Sequence, residues 1–575
     1  MQNILTSAAQ WEQSIQAVLA QLGAVSDTVT FVTRFFFPFV TLTIFLRCLW
    51  PLMSGGRRPR PWACVVTQDG EHISLVHWEN TVGRSKNCDI VLDDPTVSRV
   101  HAVISRRKEG WIVADLDSQS GITVNGQSCE GPTHIEDGDA IGLAGIELTM
   151  IPVAEAEEQP KSKRQSFAER AAQIALSLRP GVTLMYLLFF QIVGLITFCL
   201  SAGDRFSLLV PGAYLVFIAL ECIYFVFTRG RGRRHIEPEL LAFFLCGVGL
   251  FVAAGTPISM VKQVGAMVIG MALFLCLTFF LNNLDRARTA RYVFAVGALV
   301  LLAVNLALAQ TKFGALNWIH IGPISLQPSE FVKVAFVFAG ASTLDRLLSK
   351  RNLYMFMAFS GVCVGALVLM RDFGAAAIFF LGFLVMAFMR SGDARLIGVI
   401  TAITGVGAFI AVSYLSYIQA RFASWRHVWE LVDTKGYQQT RTMIYTASGG
   451  LFGVGIGKGY LSGVAAADTD LVFGVVAEEW GLVVALLCAL APLMLAIFAA
   501  MSIKASRSAF YAIAACGAAV ILLAQAAFNV FGSLDILPLT GVTLPFVSNG
   551  GSSMVACWGL LACIKSIDER HRATV

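Results

Sequence analysis

Two aspartates two positions apart, Asp468 and Asp470, lie in the most polar stretch of an otherwise apolar chain, residues 421–481, which also holds a glycine run at 449–459. A carboxylate can remove the proton of an attacking hydroxyl, while cationic groups can neutralise a departing phosphate. Charge beside segments that enter lipid is costly and by default marks function. The stretch is therefore predicted to be a functional site.

The elements around this stretch are membrane helices by composition. Of the 575 residues, 56% are hydrophobic and 14% charged, with a mean hydropathy of +0.68, whereas soluble domains carry roughly 25% charged residues. The net charge of +5 is dispersed, so we expect no nucleic-acid partner. The 13 cysteines form no CxxC pair, which argues against a disulfide framework or zinc site. No organic cofactor is expected.

The fold class predicted is a polytopic α-helical membrane protein with about 13 transmembrane helices. Basic loops are expected on the cytoplasmic side, which places residues 1–30 and a large loop at 417–473 outside and the tail at 567–575 inside. The predicted spans are 31–53, 183–203, 207–228, 238–256, 261–282, 291–310, 329–346, 354–370, 373–390, 396–416, 474–501, 510–531 and 549–566. Glu478 and Glu479 are expected near the N-terminus of one of these helices, where acidic side chains interact favourably with the helix dipole.

Residues 60–153 lack the long apolar runs of the predicted membrane spans. They contain short runs of alternating apolar residues, separated by Gly, Asp and Asn turns. Such spacing predicts a cytoplasmic all-β sandwich. A charged linker is expected at 154–180. The Gly-Arg-Ser at 83–85, Ser-Arg-Val-His at 98–101 and Val-Asn-Gly at 124–126 resemble the forkhead-associated (FHA) domain, a phosphothreonine reader.

The FHA resemblance implies a phosphothreonine site formed by Arg84, Ser98, Arg99 and Ser120. An arginine fork with a hydroxyl suits a phosphate dianion. Ser120 replaces the asparagine that is usual in the family, which bears on peptide selectivity. A sandwich that packs on partners without binding phosphate is the alternative.

Several motifs of the membrane part resemble the SEDS family, the FtsW/RodA/SpoVE peptidoglycan polymerases. They include Gly-Tyr-Gln at 436–438, Ser-Gly-Gly-Leu at 448–451 with the following glycines, Thr-Asp at 469–470, Glu-Glu-x-Gly-Leu at 478–482, Gln-Pro-Ser-Glu-x-x-Lys at 327–333, and Leu-Pro-x-Thr-Gly-x-x-Leu-Pro-Phe-x-Ser-Asn-Gly-Gly-Ser-Ser at 537–553. The resemblance implies a ten-helix core at 238–566 and leaves residues 181–228 as two additional helices.

The SEDS resemblance implies that Asp470 is the catalytic base. It implies substrate-binding roles for Trp318, Lys333, Asp372, Arg421, Gln438, Arg441, Ser548, Gly550, Gly551 and Ser552. The family's Pro-Glu-Ala-His before Thr-Asp reads Ala465 to Asp468 here, its two arginines before Trp318 read Leu316 and Asn317, and its tyrosine reads Asn549. Asp468 would repel the charge of Asp470, or share a divalent cation, Mg²⁺ or Mn²⁺, with it.

Structural alternatives stand beside these roles. Trp318 could belong to an interfacial aromatic belt, Asp372 could pair with Arg371 at a helix end, and residues 537–553 could form a packing turn. Asp468 and Asp470 could be a pair of aspartates at a helix end with no catalytic role.

The sequence thus predicts a multi-pass inner-membrane peptidoglycan glycosyltransferase that polymerises lipid II outside the membrane, for division, elongation or sporulation. Expected partners are lipid II, the growing glycan strand and a class B penicillin-binding protein transpeptidase. The FHA domain adds a threonine-phosphorylated protein and a Ser/Thr kinase pathway. The alternatives are a lipid II flippase and a catalytically silent scaffold.

Overall fold

The computed structural model describes residues 2–53, 61–86, 88–107, 110–129, 131–152, 180–203, 206–233, 235–312, 315–322, 324–345, 350–503, 506 and 508–568. The predicted linker at 154–180 lies outside the described residues except for Pro180, which begins a helix, and most of the predicted tail at 567–575 also lies outside them.

The N-terminal region contains eleven short strands, which are β1 Ala63–Thr67, β2 His72–Leu75, β3 Glu79–Gly83, β4 Ile90–Val91, β5 Ala102–Arg107, β6 Gly110–Asp115, β7 Ile122–Val124, β8 Gln127–Cys129, β9 Thr133–Ile135, β10 Ala140–Leu143 and β11 Ile146–Ile151. They form a six-stranded sheet, β2-β1-β11-β10-β7-β8, and a five-stranded sheet, β4-β3-β5-β6-β9. Inward side chains such as Val82, Ile104 and Val113 are fully buried. The predicted sandwich is confirmed.

Helices make up most of the rest. They are α1 Gln2–Gln21, α2 Gly23–Met53, α3 Pro180–Ala202, α4 Leu209–Gly230, α5 Glu237–Ala253, α6 Pro257–Leu281, α7 Leu284–Thr289, α8 Arg291–Leu308, α9 Pro328–Leu344, α10 Lys350–Leu369, α11 Phe373–Ser391, α12 Ala394–Tyr414, α13 Ser416–Ser424, α14 Tyr437–Gly449, α15 Val472–Trp480, α16 Leu482–Ser502, α17 Ala509–Ser533 and α18 Gly551–Lys565.

The polytopic membrane fold is confirmed. Every predicted span coincides at least in part with a helix, and ten helices of the described chain are long and apolar enough to cross a membrane. Three others fall short of that criterion: α5 and α9 have 17 residues each and α18 has 15. Their shortfall is in length, because a helix needs about 20 residues to cross the hydrocarbon core of a bilayer.

The predicted span at 474–501 was wrong at its start. The chain forms a separate short helix, α15, and then breaks at Gly481, whose φ is +90°. A Cβ at Gly481 would lie 2.3 Å from the carbonyl oxygen of Leu451. The helix breaks here because glycine permits both this backbone conformation and this close approach.

The N-terminal helices are packed into the same core as the rest of the bundle. Helix α2 begins at Gly23 and not at the predicted residue 31. The buried ring of Trp480 lies 4.8 Å from Phe37 of α2, 5.3 Å from Phe190 of α3 and 5.2 Å from Phe251 of α5. Aromatic pairs at these distances add to the energy of area burial, so α2 and α3 stabilise the end of α15.

Two segments between the long helices are more ordered than the sequence predicted. Residues 310–326 form a small antiparallel sheet of strands β12 Gln310–Lys312, β13 Ala315–Ile321 and β14 Ile324–Leu326. The predicted loop at 417–473 contains α13, α14 and a 3₁₀ turn at Leu461–Gly463. These elements bring the candidate site residues together.

Candidate active site and phosphopeptide site

The turn that carries Asp470 is held against the segment that precedes α18. Asn549 donates from its side-chain Nδ2 to Asp468 Oδ2 at 2.7 Å and from its backbone N–H to the Asp468 carbonyl at 2.8 Å. The Ser548 hydroxyl donates to the Thr469 carbonyl at 2.6 Å. Two distant parts of the chain therefore fix the backbone on both sides of Thr469.

The side chain of Asn529, on α17, supports the same turn from inside the bundle. Its Nδ2 donates to the carbonyls of Asp470 at 3.0 Å and Val542 at 2.8 Å, and the residue is 1% exposed. A buried carbonyl that loses its donor costs about 1–3 kcal/mol. Asn529 is therefore expected to fix the position of Asp470 relative to residues 540–543.

Asp372 lies on the other side of residues 540–543. A Cβ at Gly374 would come 2.6 Å from the Val542 side chain, and one at Gly541 would come 3.4 Å from Asp470 Oδ2. The loop between the two aspartates thus passes directly against the Asp470 carboxylate.

Asp372 is the N-cap of α11. Its Oδ1 accepts from the backbone N–H of Ala375 at 3.0 Å, and its Oδ2 accepts from Asn317 Nδ2 at 3.1 Å and Gln327 Nε2 at 3.3 Å. Asn317, which replaces an arginine of the family motif, is thus bonded to a predicted substrate-binding aspartate. The neighbouring Trp318 lies on β13.

A buried polar network surrounds Lys333. Its Nζ lies 2.7 Å from Glu330 Oε1 and donates to Gln525 Oε1 at 3.1 Å, and the residue is 1% exposed. Gln525 in turn donates to the hydroxyls of Thr543 at 2.8 Å and Ser553 at 3.2 Å. These bonds attach Lys333 to the C-terminal motif. A direct contact between Lys333 and substrate stays a prediction.

The glycines of the C-terminal motif open α18. Gly550 is the N-cap and Gly551 the first residue of the helix. The Ser552 hydroxyl accepts from the backbone N–H of Gln327 at 3.0 Å. A helix N-terminus favours anions, so the predicted role of Gly550, Gly551 and Ser552 toward a pyrophosphate stays open to test.

The other predicted residues lie on α13 and α14. Gln438 Nε2 donates to the Ala465 carbonyl at 2.8 Å, so it holds the start of the Asp470 turn. The guanidinium of Arg441 stacks on Tyr437 of its own helix, with its carbon 5.3 Å from the ring centre. Arg421 is half-buried on α13. Substrate contacts of these side chains remain predictions.

Glu478 and Glu479 do not open a membrane helix as predicted, because they lie in the last turn of α15. Glu478 accepts from the backbone N–H groups of Tyr460 at 2.8 Å and Leu461 at 2.9 Å, and Glu479 accepts from that of Gly457 at 2.9 Å. The two carboxylates therefore hold the glycine run in place.

Sequence reasoning missed Asn529, Gln525 and the holding role of the two glutamates. The signal available was an amide at each of positions 525 and 529, four residues apart in an apolar helix. Residues at this spacing share one helix face, and polar side chains within membrane helices normally face the bundle interior.

The predicted phosphothreonine residues lie in three loops at one end of the sandwich. The backbone N–H of Arg84 donates to the Ser98 carbonyl at 3.0 Å, and the Ser98 hydroxyl accepts from the backbone N–H of Gln119 at 3.2 Å. Arg84, Arg99 and Ser120 are exposed. Hydrogen bonds thus connect the loops, and the charged side chains of Arg84 and Arg99 are exposed to solvent.

Two further residues of the FHA motifs, His101 and Asn125, make hydrogen bonds inside the sandwich. The imidazole of His101 is fully buried between the Ser98 backbone N–H and the Gly121 carbonyl, at 3.2 and 3.0 Å. Asn125 Nδ2 donates to Asp139 Oδ1 at 2.8 Å. This bond, together with the Glu136 backbone N–H, lowers the pKa of the Asp139 carboxyl.

The fold and these sites define an integral membrane protein with a phosphopeptide-type β-sandwich that precedes most of the membrane helices in the chain. The FtsW/RodA/SpoVE family model, described as a cell cycle protein, matches residues 251–573, and the FHA domain model matches residues 80–144. The chain belongs to the FtsW/RodA/SpoVE family and carries an FHA domain.

Relatives with this family's sequence pattern are named as peptidoglycan glycosyltransferases. The peptidoglycan glycosyltransferase RodA of Mycobacterium tuberculosis is 30% identical over 53% of this chain and 69% of its own length. The probable peptidoglycan glycosyltransferase FtsW of Tolumonas auensis is 32% identical over 58% of this chain and 91% of its own length.

Solved structures similar to this chain include members of the same family. Thermus thermophilus RodA is 25% identical and covers 59% of this chain and 96% of its own, with a TM-score of 0.43. A chain of a peptidoglycan synthase complex is 26% identical and covers 58% of this chain and 97% of its own, with a TM-score of 0.48.

Proposed function

We propose that this protein is a peptidoglycan glycosyltransferase that polymerises lipid II, with Asp470 as the base that removes the proton of the acceptor hydroxyl. The observation that carries the proposal is the fixed position of the Asp470 turn. Bonds from Ser548, Asn549 and Asn529 hold it beside residues 540–543. A general base must be positioned within hydrogen-bond reach of its proton, and such a rigid support provides the needed precision.

The departing pyrophosphate needs positive charge or hydrogen-bond donors. The N-terminus of α18, with Gly550 and Gly551, offers backbone N–H groups and the positive end of a helix dipole. Arg421 and Arg441 are the proposed cations. Backbone amides and half-buried arginines can stabilise negative charge that develops in the transition state.

A divalent cation, Mg²⁺ or Mn²⁺, remains a proposal, because the described protein side chains do not provide a complete set of ligands for it. The described residues contain no group of three His, Cys, Asp or Glu side chains that could hold a metal, and Asp468 Oδ2 already accepts from Asn549. The side chains alone thus do not fit a resident metal. Mg²⁺ is commonly held by one or two carboxylates together with substrate phosphates, so loss of polymer in a chelator and its return with Mg²⁺ or Mn²⁺ would be the test.

We further propose that the protein lies in the bacterial inner membrane with its FHA domain and C-terminus in the cytoplasm and the Asp470 loop outside. The basic loops support this orientation. A class B penicillin-binding protein transpeptidase is the proposed partner outside, and a threonine-phosphorylated protein of a Ser/Thr kinase pathway is the proposed partner inside.

The decisive experiment is glycan-chain formation from labelled lipid II by the purified full-length protein, alone and with its transpeptidase. Asp470→Asn keeps the shape of the side chain but removes the base, so we expect the rate to fall by about 10²-fold or more. Asp433→Asn, at an exposed aspartate of the same loop, should keep the native rate.

Two results would change the conclusion. Full activity of the Asp470→Asn protein would remove the base assignment. A native protein that is folded and inactive with its partner present would favour the scaffold or the flippase.

A further inference from the structure

The segment His77–Trp78–Glu79, which leads into strand β3 of the FHA domain, contacts the membrane bundle. The Nδ1–H of His77 donates to the carbonyl of Ser506, in the connection between α16 and α17. Trp78 packs against the hydrophobic core formed by the membrane helices. The FHA domain is therefore seated on the bundle through one edge, which we call the docking edge.

Charge supports the same contact. Glu79 of the docking edge interacts electrostatically with Arg390, in the last turn of α11, and Arg390 also interacts with Asp345. Opposite charges that are partly removed from water attract more strongly than charges on an open surface. The attraction between Glu79 and Arg390 thus favours the same orientation of the sandwich as the contacts of His77 and Trp78.

Asp345 connects the helix ends that the docking edge contacts. It is 1% exposed, pairs with Arg288, and accepts from the Ser508 hydroxyl at 3.1 Å and from the backbone N–H of Phe510 at 2.9 Å. It joins the end of α9 to the start of α17. The docking edge therefore meets helix ends that are already rigidly connected.

The docking edge is itself stiffened within the sandwich. The buried Asn80 side chain donates to the His77 carbonyl at 2.9 Å and to that of Ile104 at 3.3 Å. The ring of Trp78 lies 5.0 Å from that of Trp62 in an edge arrangement, and Arg106 stacks on Trp62 at 4.4 Å. Less conformational entropy is lost when a surface is ordered before it docks.

The phosphothreonine loops lie at the other end of β3. The strand runs from Glu79 to Gly83, and Arg84 follows directly. Five residues of extended chain span about 17 Å, so Arg84 lies about that far along the strand from the end that meets the bundle. Arg84, Arg99 and Ser120 remain exposed while the edge is docked.

We propose that the docking edge is a permanent intramolecular interface, which anchors the FHA domain on the ends of α9, α11 and α17 and leaves its phosphothreonine loops free. The anchored domain presents a bound phosphoprotein at a fixed place beside the bundle, which a flexible tether does not do. The second half of the proposal rests on the proposed phosphothreonine function.

The test uses the full-length protein with a diazirine amino acid in place of His77 and, separately, in place of Glu147, which is exposed on β11. Light-induced links are located by mass spectrometry. We expect links from position 77, and not from position 147, to the peptide that contains Ser506. Absence of the link from position 77 in the intact protein would overturn the docking.

Charge reversal provides the specificity control. Glu79→Arg or Arg390→Glu alone should remove most of the linked product, and the double variant should restore it. Glu147→Arg and Arg395→Glu, at exposed positions, should leave the yield unchanged. Equal yields in all four single variants would show that the charges do not guide the docking and would contradict that part of the proposal.

Binding of a phosphothreonine peptide library, with its unphosphorylated form as the control, tests the free loops. Binding that leaves the link intact supports the proposal, and binding that abolishes the link overturns it. If no peptide binds whether or not the edge is docked, the phosphothreonine function fails, while the link still reports the docking.

Discussion

Asp468 and Asn549 replace the histidine and tyrosine of the family motifs, and they are hydrogen-bonded to each other. The two positions lie 81 residues apart in sequence. Each replacement, considered alone, suggests that a residue needed for catalysis has been lost. The two replaced residues nevertheless form a hydrogen bond with each other beside Asp470. The altered motif is therefore weak evidence for a silent scaffold.

A double-mutant cycle tests whether this contact supports catalysis. Asp468→Ala and Asn549→Ala should each slow polymer formation, and the double variant should be no slower than the worse single variant, because both remove the same bond. Hydrogen bonds to charged groups are worth about 1.5–3 kcal/mol, so each single change should cost roughly tenfold in rate. Additive losses would show that the two side chains act independently. The exposed Asp433→Ala variant is the matched control.

At the scale of elements, the end of α15, where the chain breaks before α16, attaches the glycine run at 449–459 to the helical bundle. Gly481 lies where the chain leaves α15, and the carboxylates of Glu478 and Glu479 accept hydrogen bonds from residues 457–461. The Asp470 turn is the segment between these two anchored parts. Its position thus depends on a helix break that the sequence pattern, which predicted one continuous span at 474–501, did not indicate.

The Gly481→Ala variant tests this dependence. Strain at a positive φ costs about 1–3 kcal/mol, and the added Cβ would also lie 2.3 Å from the Leu451 carbonyl oxygen. We expect a lower thermal unfolding temperature in detergent and reduced polymer formation. The matched control is Gly361→Ala in α10, where a Cβ meets no atom within 4 Å and helix propensity favours alanine by up to about 1 kcal/mol. An equal response of both variants would contradict the role given to the break.

At the scale of the whole molecule, two sites lie at opposite ends of the same helices. Helix α9 carries Lys333 near its start and ends at Asp345, and α17 begins beside Asp345 and carries Asn529. The FHA domain is seated at the Asp345 end. Spatial continuity of this kind supplies a route for regulation, and only a measured coupling establishes it.

Phosphate recognition by the FHA domain is testable on the full chain. Arg84→Ala should weaken phosphothreonine peptide binding by at least about tenfold, because charge-assisted hydrogen bonds are worth about 1.5–3 kcal/mol each. Arg84→Lys should lose less, since it keeps the charge without the planar fork. Titration calorimetry with phosphorylated and unphosphorylated peptides is the measurement, and Arg395→Ala is the control. Undiminished binding by the Arg84→Ala protein would refute the site.

The sequence by itself determined the membrane class, the sandwich, the approximate positions of the long membrane helices and the motifs that carry the chemistry. Long apolar runs and period-two alternation are local signals, because burial in lipid or in a sandwich acts on every residue of the element. Asp470, Asp372 and Arg84 were predicted instead from short motifs that resemble those of the two families, and their roles stay predictions.

Only the tertiary structure decided which of these residues meet. The contacts of Asn549 with Asp468, of Asn317 with Asp372 and of Gln525 with Lys333 join segments that are distant in sequence, so no local period encodes them. The break at Gly481 was also hidden, because its cause is the close approach of the Leu451 backbone. Long-range packing and hydrogen bonding, and not propensity, set the geometry of the site.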